Sequence, residues 1–445
     1  MKRIFFPLFI LFAFLTANLS AQDLTQKYDE YINKRFEKGD FMGVVMIAKN
    51  GNPVYTKAIG YADISTEKPN SPELKYLIGS VTKQFTAALI LKLQEEGKLK
   101  TSDRISKYFP NFKYGDSITI KQLLNHTSGI KNYTDIKNII GKIDTYENIS
   151  ALLDSVLILD LEFSPGEKMS YTNTGYLMLG EIVKQASGKS FKEYLQEKIF
   201  TPAGMLHSDI DAEIISGDDF AQGYTKNDSN QIVKSININL KYAGSAGSIS
   251  STLSDMLKWD NALYSELILS NESKNEMFTP GMKKYGYGFF IDEYKNKKRV
   301  WHNGRIFGFV ASFMRFYEDS LTVIVFGNND RDNVDQIAHE LTQITLGETI
   351  NLSDPVEITV DPAIYKNYTG VYELSPAFAI TIITEDNKIF AQATDQEKYE
   401  IYPEAENKFF YKIVEAKIEF FKDENGNVNK LVLYQSGREL PGIKK

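Results

Sequence analysis

Two spacings of apolar positions alternate along this chain, one of period near 3.6 and one of period 2. Residues 24–37 carry the helical spacing and predict a covering helix. Gly43 to Ala48 then alternates as a strand, Asn50-Gly51-Asn52 signals a turn, and Val54 to Tyr61 returns, so this stretch predicts a β-hairpin. From Ser80 to Glu96 the pattern is helical again. Phe85, Ala88, Leu89 and Leu93 share one face, and Gly97 ends the run. A helix-rich middle follows. Thr119 with Gln122, Ser190 with Glu193 and Thr252 with Asp255 each resemble a capping box at a helix start. Pro165-Gly166 and Gly188 mark loops. From Val300 the strands return, with Phe309–Tyr317 and Leu321–Phe326 as a hairpin around Glu318-Asp319-Ser320.

Strands at both ends with helices between predict an α/β (α+β) fold. One antiparallel sheet is closed by N- and C-terminal segments and flanked by helices, and the helical insertion forms a second lobe with a cleft between the two. Residues 350–361 hold Asn, Asp and Pro without periodicity and predict a linker. Beyond it the pattern is nearly all strand: Tyr368–Tyr372, Phe378–Ile383, Ile389–Ala393, Phe409–Val414, Lys417–Phe421 and Leu431–Tyr434. Asp386-Asn387 and Asn425-Gly426 supply tight turns, so residues 362–445 predict a small all-β barrel or sandwich.

The start of the chain differs from the rest. Lys2 and Arg3 precede an apolar run from Ile4 to Leu15, followed by Ala17, Ser20 and Ala21. This predicts a secretory signal peptide over 1–21, cleaved after Ala21, with one large domain over 22–349. The protein would then be exported to the periplasm or beyond, with no stable membrane anchor. Loss of Lys2 and Arg3 takes the formal charge from −7 to −9. An acidic chain argues against nucleic acid or anionic membrane as a partner. With no cysteine there is neither a disulfide nor a thiol nucleophile. His126, His207, His302 and His339 lie far apart, with no metal-ligand spacing, so neither a metal nor an organic cofactor is expected.

Three constellations carry chemistry. Ser80-Val-Thr-Lys83 places a hydroxyl and an amine one helical turn apart, so the amine can take part in moving the serine proton. The backbone N–H of Ser80 at a helix start can face an oxyanion. Tyr171-Thr-Asn173 opens a second helix. Tyr171 acts as a base only where cations such as Lys83 and a protonated His302 stabilise its phenolate, and Asn173 can accept from Lys83. In His302-Asn-Gly304-Arg305, Gly304 lets a substrate lie close to the backbone, and the Arg305 N–H is a second oxyanion donor. His126 reads as a helix-ending turn, Glu162 and Glu167 as solvated carboxylates, and Gly244-Ser-Ala-Gly247 as a backbone turn near the site mouth.

Together these segments resemble the serine β-lactamase and penicillin-binding-protein-like hydrolases, in the branch of class C β-lactamases, D,D-carboxypeptidases and related esterases. The resemblance is carried by Ser80-Val-Thr-Lys83, Leu123-Leu-Asn-His126-Thr-Ser-Gly129, Tyr171-Thr-Asn173, Pro202-Ala-Gly-Met205, Gly244-Ser-Ala-Gly247 and His302-Asn-Gly304, over residues 25–345. The tail, opening at Tyr368-Thr-Gly-Val-Tyr372, is similar to the lipocalin-like domain that follows some of these hydrolases. The resemblance implies acylation of Ser80 by an ester, amide or D-amino-acid peptide, peptidoglycan-derived peptides among the candidates, with Lys83, Tyr171, Asn173 and His302 as catalytic groups and Gly304 and Arg305 binding substrate. Class C β-lactamases have Lys-Thr-Gly where this chain has His302-Asn-Gly304. Histidine there makes any positive charge pH-dependent and ranks β-lactam hydrolysis below esterase or peptidase activity. Arg305 would then serve as a carboxylate clamp. A catalytically silent binding relative is the reading from another class.

Overall fold

Helix α1 (Leu8–Glu37) leads into the hairpin β1 (Gly43–Lys49) and β2 (Asn52–Ile59) in the computed structural model. The structure describes residues 8–210, 217–235, 240–350, 355–376, 378–414, 416–435 and 438–445. Residues 1–7 of the expected signal peptide and 351–354 of the expected linker lie outside them. Helix α1 begins well before the expected 24–37, because the Leu, Phe, Ile and Ala run after Pro7 contains no breaker. Among the described residues no helix is long and apolar enough to cross a membrane. The hairpin turns on Asn50 (φ 52°) and Gly51 (φ 74°), both left-handed, as a two-residue turn that follows strand twist requires.

The chain then forms α2 (Thr82–Glu95), α3 (Asn173–Ser187) and α4 (Leu253–Tyr264), followed by β3 (Phe290–Tyr294), β4 (Lys297–Ile306), β5 (Phe309–Phe316), β6 (Leu321–Gly327) and α5 (Val334–Thr345). The sheet order is β2-β1-β6-β5-β4-β3, antiparallel throughout. Gly43 pairs with Gly327 and Lys49 with Leu321, so the first strand closes on the last. Every residue of β5 and β6 is buried, with α5 packed on both strands and α4 on β6 and β1. Helix α2 is buried on nearly every side, with only Lys92, Gln94 and Glu95 left at its end. Thr119–Gln122 and Ser190–Glu193 form both arms of a capping box. Thr252 caps the Asp255 N–H, but the Asp255 carboxylate turns away to the His207 N–H (2.7 Å) and Lys258 (2.9 Å). The strand region also begins earlier than Val300, at β3.

The contacts divide the chain into two units, Met1–Leu346 and Gly347–Lys445. The second is a closed barrel of β7 (Gly370–Ser375), β8 (Phe378–Glu385), β9 (Lys388–Ala393), β10 (Lys398–Ala405), β11 (Lys408–Tyr411), β12 (Ala416–Lys422), β13 (Val428–Gln435) and β14 (Arg438–Lys444), with β14 pairing back onto β7. Strands β10 and β14 are additions to the sequence expectation. Each contains a proline, Pro403 or Pro441, which lowers the strand signal, and Pro403 sits at a bulge. Tyr368 stacks on Phe420 at 4.4 Å, and Tyr372 and Phe409 each lie 5.7 Å from the same ring. Aromatic side chains occupy this core.

Candidate active site

Ser80 lies in the short 3-10 turn Gly79–Val81 that feeds α2, rather than in the α-helix itself. Two glycines bring this turn against β4. A Cβ on Gly304 would stand 2.0 Å from the Ile78 carbonyl oxygen and 2.8 Å from the Ser80 nitrogen. A Cβ on Gly79, whose φ is 51°, would stand 2.8 Å from the Arg305 nitrogen. Only backbones without side chains can meet this closely, and the contact brings the Ser80 and Arg305 N–H groups to one place.

Lys83 is fully buried. Its Nζ lies 3.0 Å from Ser80 Oγ, 2.8 Å from Asn173 Oδ1 and 2.7 Å from the Ala246 carbonyl oxygen. Burial holds its pKa well below the ordinary lysine range. A neutral amine has two N–H bonds and one lone pair. Asn173 Oδ1 and the Ala246 carbonyl can only accept from Lys83, so in the neutral form of the amine the lone pair is directed to the Ser80 hydroxyl. Ala246 belongs to the Gly244–Gly247 turn, and nothing in its side chain could signal this contact. Thr86 donates to the Ser245 carbonyl (2.6 Å) and Ser245 to the Tyr176 carbonyl (2.8 Å), which ties that turn to α2 and α3. Asn173 is the first residue of α3, and its N–H donates to Asn132 Oδ1 at 3.0 Å.

Tyr171 lies beside this group, with its ring centre 4.9 Å from Lys83 Nζ. Its hydroxyl is buried without a geometric hydrogen bond. Burial pushes its pKa up, against a small opposing pull from Ser80. Tyr171 is therefore held as a phenol, and the expected phenolate stabilised by cations is not what the site builds. His302 differs from expectation for the same reason. It is buried, its pKa is depressed to about 3 by desolvation and then by Lys83, and it is neutral. Its Nδ1 donates to the Asn303 carbonyl oxygen at 2.6 Å, so its Nε2 accepts from Tyr285 Oη at 3.1 Å. It reaches Tyr285, not Tyr171. The Arg305 side chain is exposed and makes no ion pair or hydrogen bond among the described residues. Along β4 it alternates onto the face of Asn303, which donates to Asp335 of α5, opposite His302 and Gly304. The side-chain clamp is corrected by this alternation, and only the Arg305 backbone faces Ser80.

His126 forms the expected turn, with φ 60°. Its ring, however, is fully buried and lies 4.2 Å from the Tyr171 ring and 4.6 Å from that of Tyr285. Glu162 and Glu167 are exposed, as expected.

The family model described as Beta-lactamase matches residues 28–345. The chain belongs to the β-lactamase family. Members of this family are serine hydrolases, and this chain is one. Residues 354–442 match a second model, described as a domain of unknown function (DUF3471). The chain is similar to Penicillin-binding protein 4* of Bacillus subtilis (strain 168), at 28% identity over 441 residues, covering 92% of this chain and 96% of that protein. Among solved structures it resembles the octameric penicillin-binding protein homologue from Pyrococcus abyssi, with a TM-score of 0.68 and 26% identity over 94% of this chain and 99% of that one. The D-amino acid amidase from Ochrobactrum anthropi SV3 shares the fold, with a TM-score of 0.64 and 24% identity over 73% of this β-lactamase-family chain and 98% of its own.

Proposed function

We propose that this protein is an exported serine hydrolase that acylates Ser80 with a small amide, ester or D-amino-acid peptide and then releases the acyl group to water. The observation that carries the reading is the buried amine of Lys83, whose Nζ lies within hydrogen-bond distance of Ser80 Oγ, Asn173 Oδ1 and the Ala246 carbonyl oxygen at once. As Ser80 Oγ bonds to the substrate carbonyl carbon, its proton passes to Lys83 Nζ. The oxyanion is met by the N–H groups of Ser80 and Arg305. When the C–N or C–O bond breaks, the leaving group takes a proton from the Lys83–Tyr171 pair. Tyr171 enters as a phenol, so it donates first and recovers its proton from Lys83. Water then attacks the acyl carbonyl, giving one proton to Lys83, and as the bond between the acyl carbon and Ser80 Oγ breaks that proton passes to Ser80 Oγ and the acid leaves.

Neutral His302 supplies no fixed cation for a β-lactam carboxylate. This supports amidase, peptidase or esterase turnover over efficient β-lactam hydrolysis, with D,D-carboxypeptidase activity within the range. The name of the Bacillus relative supports a penicillin as a probe. Residues 1–21 act as a signal peptide, and Edman sequencing of the exported protein is expected to begin at Gln22.

The test is intact-protein mass after incubation with a penicillin, together with release of p-nitrophenol from short p-nitrophenyl esters. Wild type is expected to gain an adduct or turn over the ester, and Ser80→Ala to do neither. Near wild-type turnover by Ser80→Ala would overturn the mechanism.

A further inference from the structure

The acyl transfer above leaves His126 without a task, yet the fold pins it from several sides. It sits in the left-handed region that few residues other than glycine adopt (φ 60°). Its carbonyl oxygen accepts the Ser170 N–H at 3.0 Å, and its Nδ1 accepts the Thr172 N–H at 3.2 Å. The residues on both sides of Tyr171 are therefore hydrogen-bonded to His126. An Nδ1 that accepts a peptide N–H is unprotonated, so the ring proton is on Nε2. That nitrogen is buried without a hydrogen-bond partner among the described residues. Tyr171, Tyr285 and Tyr176 surround the ring, with centres 4.2, 4.6 and 5.1 Å away.

The arrangement excludes His126 as a base. One nitrogen is taken by a peptide and the other already bears the proton, and burial, followed by the neighbouring Lys83 and His302, opposes a second proton. It also identifies what holds Tyr171. The Tyr171 hydroxyl meets no partner in good hydrogen-bond geometry and feels only the weaker pull of Ser80, so ring contacts and the flanking backbone carry most of its orientation. His126 supplies both. The Tyr285 and His302 rings each lie farther off, at 6.1 Å.

We propose that His126 is the positioning residue for Tyr171: it clamps the peptides on either side and presents its ring as the wall that aims the phenol at Ser80 and Lys83. This deepens the acyl-Ser80 reading and rests on it for its kinetic test.

The experiment is a double-mutant cycle in the full chain. His126→Asn is the informative substitution, because Asn tolerates the left-handed conformation and its side-chain oxygen can accept the Thr172 N–H, while the ring is lost. With a p-nitrophenyl ester, His126→Asn is expected to leave KM within about twofold and lower kcat by about tenfold or more, as misaimed catalytic groups do. In a Tyr171→Phe background the same change is expected to lower the residual rate by less than about twofold, because its partner's hydroxyl is already gone. Where turnover of Tyr171→Phe is too slow, acylation by a penicillin followed over hours by intact mass gives the same comparison. An equal loss in both backgrounds, or a kcat for His126→Asn within about twofold of wild type, overturns the proposal.

A second measurement needs no turnover. In ¹⁵N-histidine NMR of the full chain, the signal lost in His126→Asn is expected to show the Nε2–H tautomer, and an Nδ1–H tautomer overturns the clamp. Retained turnover in Ser80→Ala would sink the acyl-Ser80 reading while leaving this measurement standing.

Discussion

At the scale of single residues, the site is governed by how little charge it can hold. Lys83, His126 and His302 are all buried, and each has its charged form disfavoured by desolvation. Lys83 opposes protonation of both histidines. Acylation is therefore expected to fall as pH drops through the lowered Lys83 pKa, and Lys83→Met is expected to remove that limb with most of the rate, by about 10²-fold or more. The pH profile of acyl-adduct formation checks this. For His302 the sign follows from linkage. The unfolded chain binds its proton below about pH 6.5, whereas the folded protein refuses it until about 3. Stability is lost as pH falls through that window. Replacing His302 with Gln is expected to flatten the decline of Tm on acidification, as thermal melts along a pH series would show. Among these residues, Ser80, Lys83, Tyr171 and Asn173 were legible because local spacing brings each pair together. Tyr285 and the Ala246 carbonyl were not. One reaches the site through a tertiary turn in which it bridges Phe290 at the start of β3, and the other acts through a backbone atom that every residue has. His126 was half legible: its turn is local, but the direction of its ring is set by tertiary packing.

At the scale of elements, the contact between the Gly79–Val81 turn and β4 is the critical joint. Gly304→Ala would drive a methyl group into the Ile78 carbonyl oxygen, against backbone that cannot rotate away. The strand is expected to shift from the turn and part the Ser80 and Arg305 N–H groups. The expected outcome is a folded protein, unchanged in far-ultraviolet circular dichroism, that acylates about 10²-fold or more slowly. A wild-type rate would show that the two N–H groups do not act together. Elements with reciprocal local chemistry, such as the capping boxes at Thr119 and Ser190, could be read from the chain. Strands β10 and β14 escaped because Pro403 and Pro441 argue locally against a ladder that the closed barrel nevertheless accommodates. Arg305 misled because its neighbours in sequence lie on alternate faces of β4.

At the scale of the whole molecule, the chain is two units with separate cores. The barrel has no open sheet edge and its own aromatic core. Residues 355–445 expressed alone are expected to fold cooperatively, giving a β-type dichroism spectrum and a single thermal transition. A broad, unstructured spectrum would show that the barrel depends on the hydrolase unit. With Tyr368, Tyr372, Phe409 and Phe420 packed together in its core, a lipid has to displace aromatic rings to enter. The seam that closes the barrel joins its first strand to its last, and just past the last strand the N–H of Lys445 donates to the Val371 carbonyl at 2.9 Å. Entry and exit of the module therefore share one address. A label fused after Lys445 emerges beside the point where the chain enters the barrel, and a circular permutant could join these ends and open instead at the Asn425-Gly426 turn without breaking a strand.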